Sequence, residues 1–281
     1  MTPQGIACVD AVLRHIEAHL HEKLTLDRFT MVTHYSTFHF HRLFSRTLGL
    51  TPRDYVQRRQ LTEAARALIA SDSPILEIAL AFGYESQQAF SAAFKTMYKL
   101  PPAAYRRRGR FYPLQLPLNL DPQLTQPPDN WQLRLAAEAD GTAWMTLARM
   151  AIAGYPGFEE NSYWHTLNEK IRAREALVAL DGDRLLGALA FSRETGVIDY
   201  LGVHPQALRW AVEDKMLQAA RSLLAAGQTL SMTTFRAQDR ADIGQRAMLM
   251  RLGFAPQECL SEYDYPTQRF VRQSEARGGR P

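Results

Sequence analysis

Ser36-Thr-Phe-His-Phe-His-Arg-Leu-Phe-Ser-Arg46 is the stretch on which the fold turns. Phe40, Leu43 and Phe44 fall at i, i+3 and i+4, the spacing that gives a helix one apolar face toward a core. Thr37, Phe38, His41, Arg42 and Ser45 gather on the other side. That face is unlike an ordinary solvated one. It mixes an arginine, a histidine, small hydroxyls and an aromatic, the set that can enter a DNA major groove, where Arg pairs with guanine and apolar groups touch the thymine methyl.

Upstream, Val9, Val12, Leu13, Ile16 and Leu20 keep a helical period and predict an opening helix over residues 7–21. Thr25 then caps a short helix through Val32, with Leu26 and Phe29 turned inward. His34-Tyr35 makes a turn and Ser36 caps the helix quoted above, which is the helix-turn-helix order. Downstream, Thr51-Pro52 opens a helix carried by Tyr55, Leu61, Ala64, Leu68 and Ile69. Nearly twenty residues at about 1.5 Å each cover about 30 Å, close to one turn of B-DNA.

The unit then recurs. With an offset of 50, Phe40 and Phe44 map onto Phe90 and Phe94; with an offset of 49, Leu26, Phe29 and Thr30 map onto Ile75, Ile78 and Ala79. The face Thr37, Phe38, His41, Arg42, Ser45 acquires the counterpart Gln87, Gln88, Ser91, Ala92, Lys95. Two such units on one chain can enter successive major grooves without a dimer, so the expected site is asymmetric.

The stretches H-Y-S-T-F-H-F-H-R-L-F, S-P-I-L-E-I-A-L-A-F-G-Y-E-S-Q-Q and F-K-T-M-Y-K-L-P-P-A-A-Y-R carry a resemblance. Residues 7–108 resemble the DNA-binding domain of the AraC/XylS family, most closely its MarA, SoxS and Rob subgroup. The resemblance implies base-facing groups at Phe38, His41 and Arg42 and at Gln87 and Gln88, with double-stranded promoter DNA and RNA polymerase as partners. It also marks a departure: relatives carry a base-contacting Arg where this chain has Ala92. His34 replaces the usual turn glycine, and His visits positive φ more readily than bulkier residues.

Charge is distributed unevenly. Residues 1–110 hold 15 Lys and Arg against 9 Asp and Glu, a net of +6, whereas the whole chain carries only +4. A basic front and mildly acidic back fit a polyanion partner for the first part alone. The basic cluster Arg106-Arg107-Arg108-Gly109-Arg110 suits either phosphate contact or a helix C-terminus. The two cysteines, Cys8 and Cys259, form no short-spaced pair, and His15 and His19 at i, i+4 lack a Cys or carboxylate set to complete a metal site. No secretory start and no run of about 18 apolar residues is present. The expectation is a cytoplasmic protein without membrane contact or metal.

The chain is thus divided into a double helix-turn-helix domain over 1–110, an all-α fold; a linker over 111–130, marked by five prolines; an α/β domain over 131–273; and a tail over 274–281 without order of its own. Phe111, Tyr112, Leu114, Leu116, Leu118 and Leu120 alternate within the linker enough to lie against a domain surface. In the back half, Asp181-Gly182-Asp183 and Glu194-Thr195-Gly196 predict hairpin turns, and helices are expected over 144–152, over 161–173, after His204-Pro205 and before Leu252.

A-L-V-A-L-D-G-D-R-L-L-G-A-L-A-F, I-D-Y-L-G-V-H-P and R-A-M-L-M-R-L-G-F resemble the GNAT acetyltransferase fold, implying a mixed, mostly antiparallel sheet. Active members follow their V-x-P strand with a glycine-rich loop whose backbone N–H groups hold the coenzyme A pyrophosphate. Here Val212 and Asp214 stand where glycines belong, Glu213 and Asp214 add negative charge, and Leu249 replaces the general-acid tyrosine. The resemblance therefore implies a GNAT-like domain without catalytic residues and with acetyl-CoA disfavoured, the alternative being an active N-acetyltransferase tethered to a DNA-binding domain. Trp144, Tyr155, Phe158, Tyr163 and Trp164 beside Glu159 and Glu160 offer either a pocket for a small cationic effector or simply core and a helix N-terminus.

Overall fold

Thr2, Ser36, Thr51 and Ser86 each accept a backbone hydrogen bond at the start of a helix, from the N–H groups of Gly5, His39, Asp54 and Ala89. Such hydroxyl caps satisfy donors the helix leaves unpaired. In a computed structural model of the chain, residues 2–22, 24–33, 35–151, 156 and 159–273 are described; the turn residue His34, the pocket candidates Tyr155 and Phe158 and the tail 274–281 lie outside them. Contacts divide the chain into one unit carried by Met1–Pro127 and another carried by Pro128–Ala151 and Glu159–Pro281.

The first unit is helical: α1 (Pro3–Ala18), α2 (Leu26–Thr33), α3 (Thr37–Leu48), α4 (Pro52–Ala70), α5 (Ile75–Ala81), α6 (Gln87–Tyr98) and α7 (Pro102–Arg108). The repeat runs further than the sequence comparison carried it. α3 and α6 are both 12 residues long, and both end on a left-handed residue, Gly49 at φ 73° and Lys99 at φ 61°. Lysine in that conformation costs about 1–3 kcal/mol, and its ammonium Nζ donates to the Thr96 carbonyl at 2.7 Å, a helix-end acceptor. Pro52 and Pro102 then open the next helices, and Tyr55 and Tyr105 are buried at matching places. Between α5 and α6, Gly83 turns at φ 79°, where a Cβ would stand 2.9 Å from the Glu22 carbonyl oxygen.

α4 is buried around most of its circumference, polar residues included: Arg58, Arg59, Gln60 and Thr62 are enclosed with Tyr55, Leu61, Ala64, Ala65 and Leu68. Each is bonded, as a buried polar group must be to avoid a penalty of about 1–3 kcal/mol. Arg59 donates to both Glu17 carboxylate oxygens at 2.8 and 2.7 Å, to Glu63 and to the Gln115 carbonyl. Arg58 grips the Leu114 carbonyl with two nitrogens, at 3.2 and 2.8 Å. Gln60 donates to the Leu20 and Glu22 carbonyls.

The stretch read from its prolines as a linker is, up to Pro127, part of this unit. Tyr112, Leu114, Leu118, Leu120 and Leu124 are buried. Prolines interrupt regular structure without preventing burial, because side chains of α4 take over the hydrogen bonds a strand or helix would supply. Arg106 also departs from the expected basic cluster: it turns inward to the Leu68 and Ser73 carbonyls, leaving Arg107 exposed.

The second unit alternates strand and helix: β1 (Gln132–Leu135), α8 (Gly141–Ala151), α9 (Glu160–Arg172), β2 (Ala176–Asp181), β3 (Arg184–Phe191), β4 (Ile198–Val203), α10 (Val212–Ser222), β5 (Leu230–Phe235), α11 (Gln245–Arg251), β6 (Ala255–Glu262) and β7 (Tyr265–Arg272). Among the described residues all paired strands are antiparallel, in two sheets ordered β1-β2-β3-β4 and β5-β7-β6. The parallel component of the expected mixed sheet is one bridge between Val197 and Ser231. Just before it, Gly196 sits so close to Thr229 that a Cβ would stand 2.0 Å from its carbonyl oxygen. β2 and β3 carry near-continuous apolar runs because α8, α9 and α10 pack on them.

Candidate nucleic-acid interface

α3 turns Phe40, Phe44, Thr47 and Leu48 into the core, while Leu43, expected there, is only half-buried. Across the helix, Thr37, Phe38 and Arg42 are exposed and His41 and Ser45 form the half-buried flank. Phe38 is 72% exposed. Arg42 lies over it, its guanidinium carbon 5.6 Å from the ring centroid.

α6 repeats this disposition. Phe90, Phe94, Met97 and Tyr98 are buried, Gln87, Gln88, Ala92 and Lys95 are exposed, and Ser91 takes the flanking place of His41. All ten residues singled out by spacing therefore lie on two equivalent helix faces. The chemistry differs: where α3 offers a cation above a ring, α6 offers an amide and a methyl group.

The electrostatics of this unit are not those of its composition. Arg58, Arg59 and Arg106 bond internally, so the cations available to a polyanion are those on the surface, among them Arg42, Arg46, Arg53, Lys95 and Arg107. Sequence alone counts all arginines alike. Behind α3, the His15 and His19 rings approach to 4.2 Å, and His15 meets Phe29 edge-on at 6.4 Å. His15 Nε2 is buried without a hydrogen-bond partner among the described residues. Burial first, then the charges of His19 and Arg28, hold its imidazole below the usual value against the opposing pull of Glu22.

In the second unit, the aromatics and glutamates fall into separate tasks. Trp144 is buried and donates to the Tyr163 hydroxyl at 2.8 Å, with Tyr200 completing an aromatic cluster. Trp164 is 39% exposed and packs on Gly141, where a Cβ would meet its ring at 2.7 Å. Glu159 caps α9, accepting from the Asn161 and Ser162 N–H groups and the Ser162 hydroxyl, which holds its carboxyl below the ordinary range. Glu160 pairs with both Arg149 nitrogens, at 2.9 and 2.7 Å.

The start of α10 is filled. Val212 is fully buried against β3, lying 2.8 Å from where a Gly187 Cβ would be. Glu213 is 2% exposed; burial raises its carboxyl above the ordinary value, with Arg251 at 3.6 Å opposing. Asp214 faces Arg272 at 3.6 Å. A diphosphate needs open backbone N–H groups at such a helix end. Val212 and Glu213 thus place buried side chains at this helix start, and Leu249 is also fully buried.

A helix-turn-helix domain model matches residues 30–108. The multiple antibiotic resistance protein MarA of Escherichia coli K12 is 35% identical over 98 residues, covering 35% of this chain and 77% of that protein. The chain belongs to the AraC/XylS family of helix-turn-helix regulators. A second member-like relative, the uncharacterized HTH-type transcriptional regulator YbfP of Bacillus subtilis, is 43% identical over 98 residues, 35% of this chain. The match spans only 33% of YbfP, so the AraC/XylS assignment rests on the first unit. A GNAT-family acetyltransferase structure from Streptococcus agalactiae covers 53% of this chain and 98% of its own at 15% identity, with a TM-score of 0.43.

Proposed function

We propose that this AraC/XylS regulator binds promoter DNA as a single chain, laying α3 and α6 in successive major grooves. The observation that carries it is the repetition, 50 residues apart, of an exposed polar face on a buried aromatic base. Phe38, His41 and Arg42 supply most of the base discrimination. Gln87 and Gln88 contribute less, and Thr37, Ser45, Ser91 and Lys95 anchor phosphates or flank the groove. RNA polymerase at the promoter, in the cytoplasm, is the protein partner inferred from the family resemblance.

Selection of duplexes from a random pool by the full chain, followed by gel shift, tests it. One asymmetric site bound by one chain is expected; a palindromic site bound by two chains overturns it.

For the second unit we infer a sensing or partner-binding role instead of acetyl transfer. The filled start of α10 and the buried Leu249 support this. Calorimetry with acetyl-CoA is expected to be silent, and a saturable isotherm would restore the enzyme reading.

A further inference from the structure

We propose that residues 111–124 are a positioning element for DNA reading: a brace that sets the separation of α3 and α6, and so the spacing at which two half-sites are recognised. The inference rests on the proposed two-groove binding. The brace makes three attachments, each to a different part of the first unit.

At its start, Tyr112 and Leu114 join the core that holds Ile78 of α5 and Phe90 and Phe94 of α6. The Tyr112 N–H donates to the Tyr105 hydroxyl at 3.2 Å, and Arg66 lies over the Phe111 ring at 4.7 Å. In the middle it is held by α4. The Thr62 hydroxyl accepts from the Leu114 and Gln115 N–H groups at 3.0 and 3.2 Å while donating to the Arg58 carbonyl, which uses its one proton and both lone pairs. Arg58 and Arg59 take the Leu114 and Gln115 carbonyls.

At its end it reaches the start of α4 and α1, the helix against which α2 and α3 pack. The Leu118 N–H donates to the Tyr55 hydroxyl at 3.3 Å, and that hydroxyl donates to Glu17; the Leu120 N–H reaches Asp10 Oδ1 at 3.5 Å. One extended segment is therefore fixed in turn to α6, α4 and α1. A solvated tether would use none of these buried partners. Bonded to α4 and α1 and packed in the core of α6, it adds to the direct contact of His21 with Ala81 and Phe82 in resisting any change in the angle between the two helix-turn-helix units.

The test uses the full chain and the duplex it selects, together with duplexes whose half-sites are moved one base pair closer or further apart. The wild type is expected to bind the shifted duplexes about tenfold or more weakly. Tyr55→Phe with Thr62→Val removes the acceptors of three brace N–H groups at nearly constant volume and should reduce that ratio to about threefold. Tyr55→Phe alone should reduce it less, and Thr62→Ser, which keeps the hydroxyl, should leave it at the wild-type value. Equal loss of affinity on every duplex, or an unchanged ratio in folded variants, overturns the brace. Failure of the wild type to select any sequence would instead defeat the two-groove reading.

Discussion

α3 and α6 share length, hydroxyl cap, left-handed terminus and buried aromatic pair, and differ chiefly in what stands on the exposed face. Phe38 and Arg42 of one become Gln88 and Ala92 of the other. Positions facing the core are held by packing, where loss of a large aromatic costs about 3–5 kcal/mol. Exposed positions carry no such constraint and are free to diverge toward different duties. Within this unit the scaffold is repeated while the chemistry of the exposed face is not.

The largest effect should follow from Arg42→Ala. A bidentate arginine–guanine contact discriminates by about 1–3 kcal/mol, so gel shifts should show a roughly tenfold to hundredfold drop in preference for the selected duplex over a scrambled one. Gln88→Ala should cost clearly less. The reverse order would break the proposed inequality of the two helices.

Next comes the opposite experiment. Ala92→Arg restores a long cation to the exposed face of α6 without touching its core. Selection with this variant should recover a duplex with added sequence preference, most often a guanine, in the second half-site. An unchanged preference would mean that α6 does not lie within reach of base edges.

Lys95→Ala should act on all duplexes alike. Binding weakens uniformly, and the dependence of log affinity on log salt becomes shallower by about 0.9 for the one lost phosphate contact. Sequence preference should stay as it was.

The smallest effect separates the two units by pH. His15 is held below its ordinary value of 6.5, so the folded state prefers the neutral ring and the unfolded chain takes up the proton first. The stability this contributes is present above the unfolded value and is lost as pH falls from there through the folded one. At the matching places of α4 stand Ala64 and Ala65, which do not titrate. Hydrogen exchange between about pH 7 and 5 should show α1 and α2 losing protection while α4 and α5 lose none by this route, and His15→Ala should remove the difference.

Much of the first unit was legible in sequence because its signals are local. Apolar spacing around Phe40 and Phe44, the caps at Ser36 and Thr51 and the 50-residue echo at Phe90 and Phe94 each depend on neighbours within a turn or two. The turn at Asp181-Gly182-Asp183, between β2 and β3, was readable for the same reason. The aromatic and acidic cluster of the second unit was ambiguous, since composition alone cannot say whether Glu159 and Glu160 face a ligand or cap a helix and pair with Arg149.

The sequence by itself determined the repeated helix-turn-helix units, the faces on which Thr37 to Ser45 and Gln87 to Lys95 stand, and the alternation of strand and helix behind them. Tertiary structure alone decided which arginines are available to DNA and whether residues 111–124 tether or brace. Arg59 is taken out of the surface charge by Glu17, 42 residues away, and by Gln115, 56 residues away. A helical period reports what lies one turn along the chain. It carries no information about a partner brought beside it only when the chain has folded.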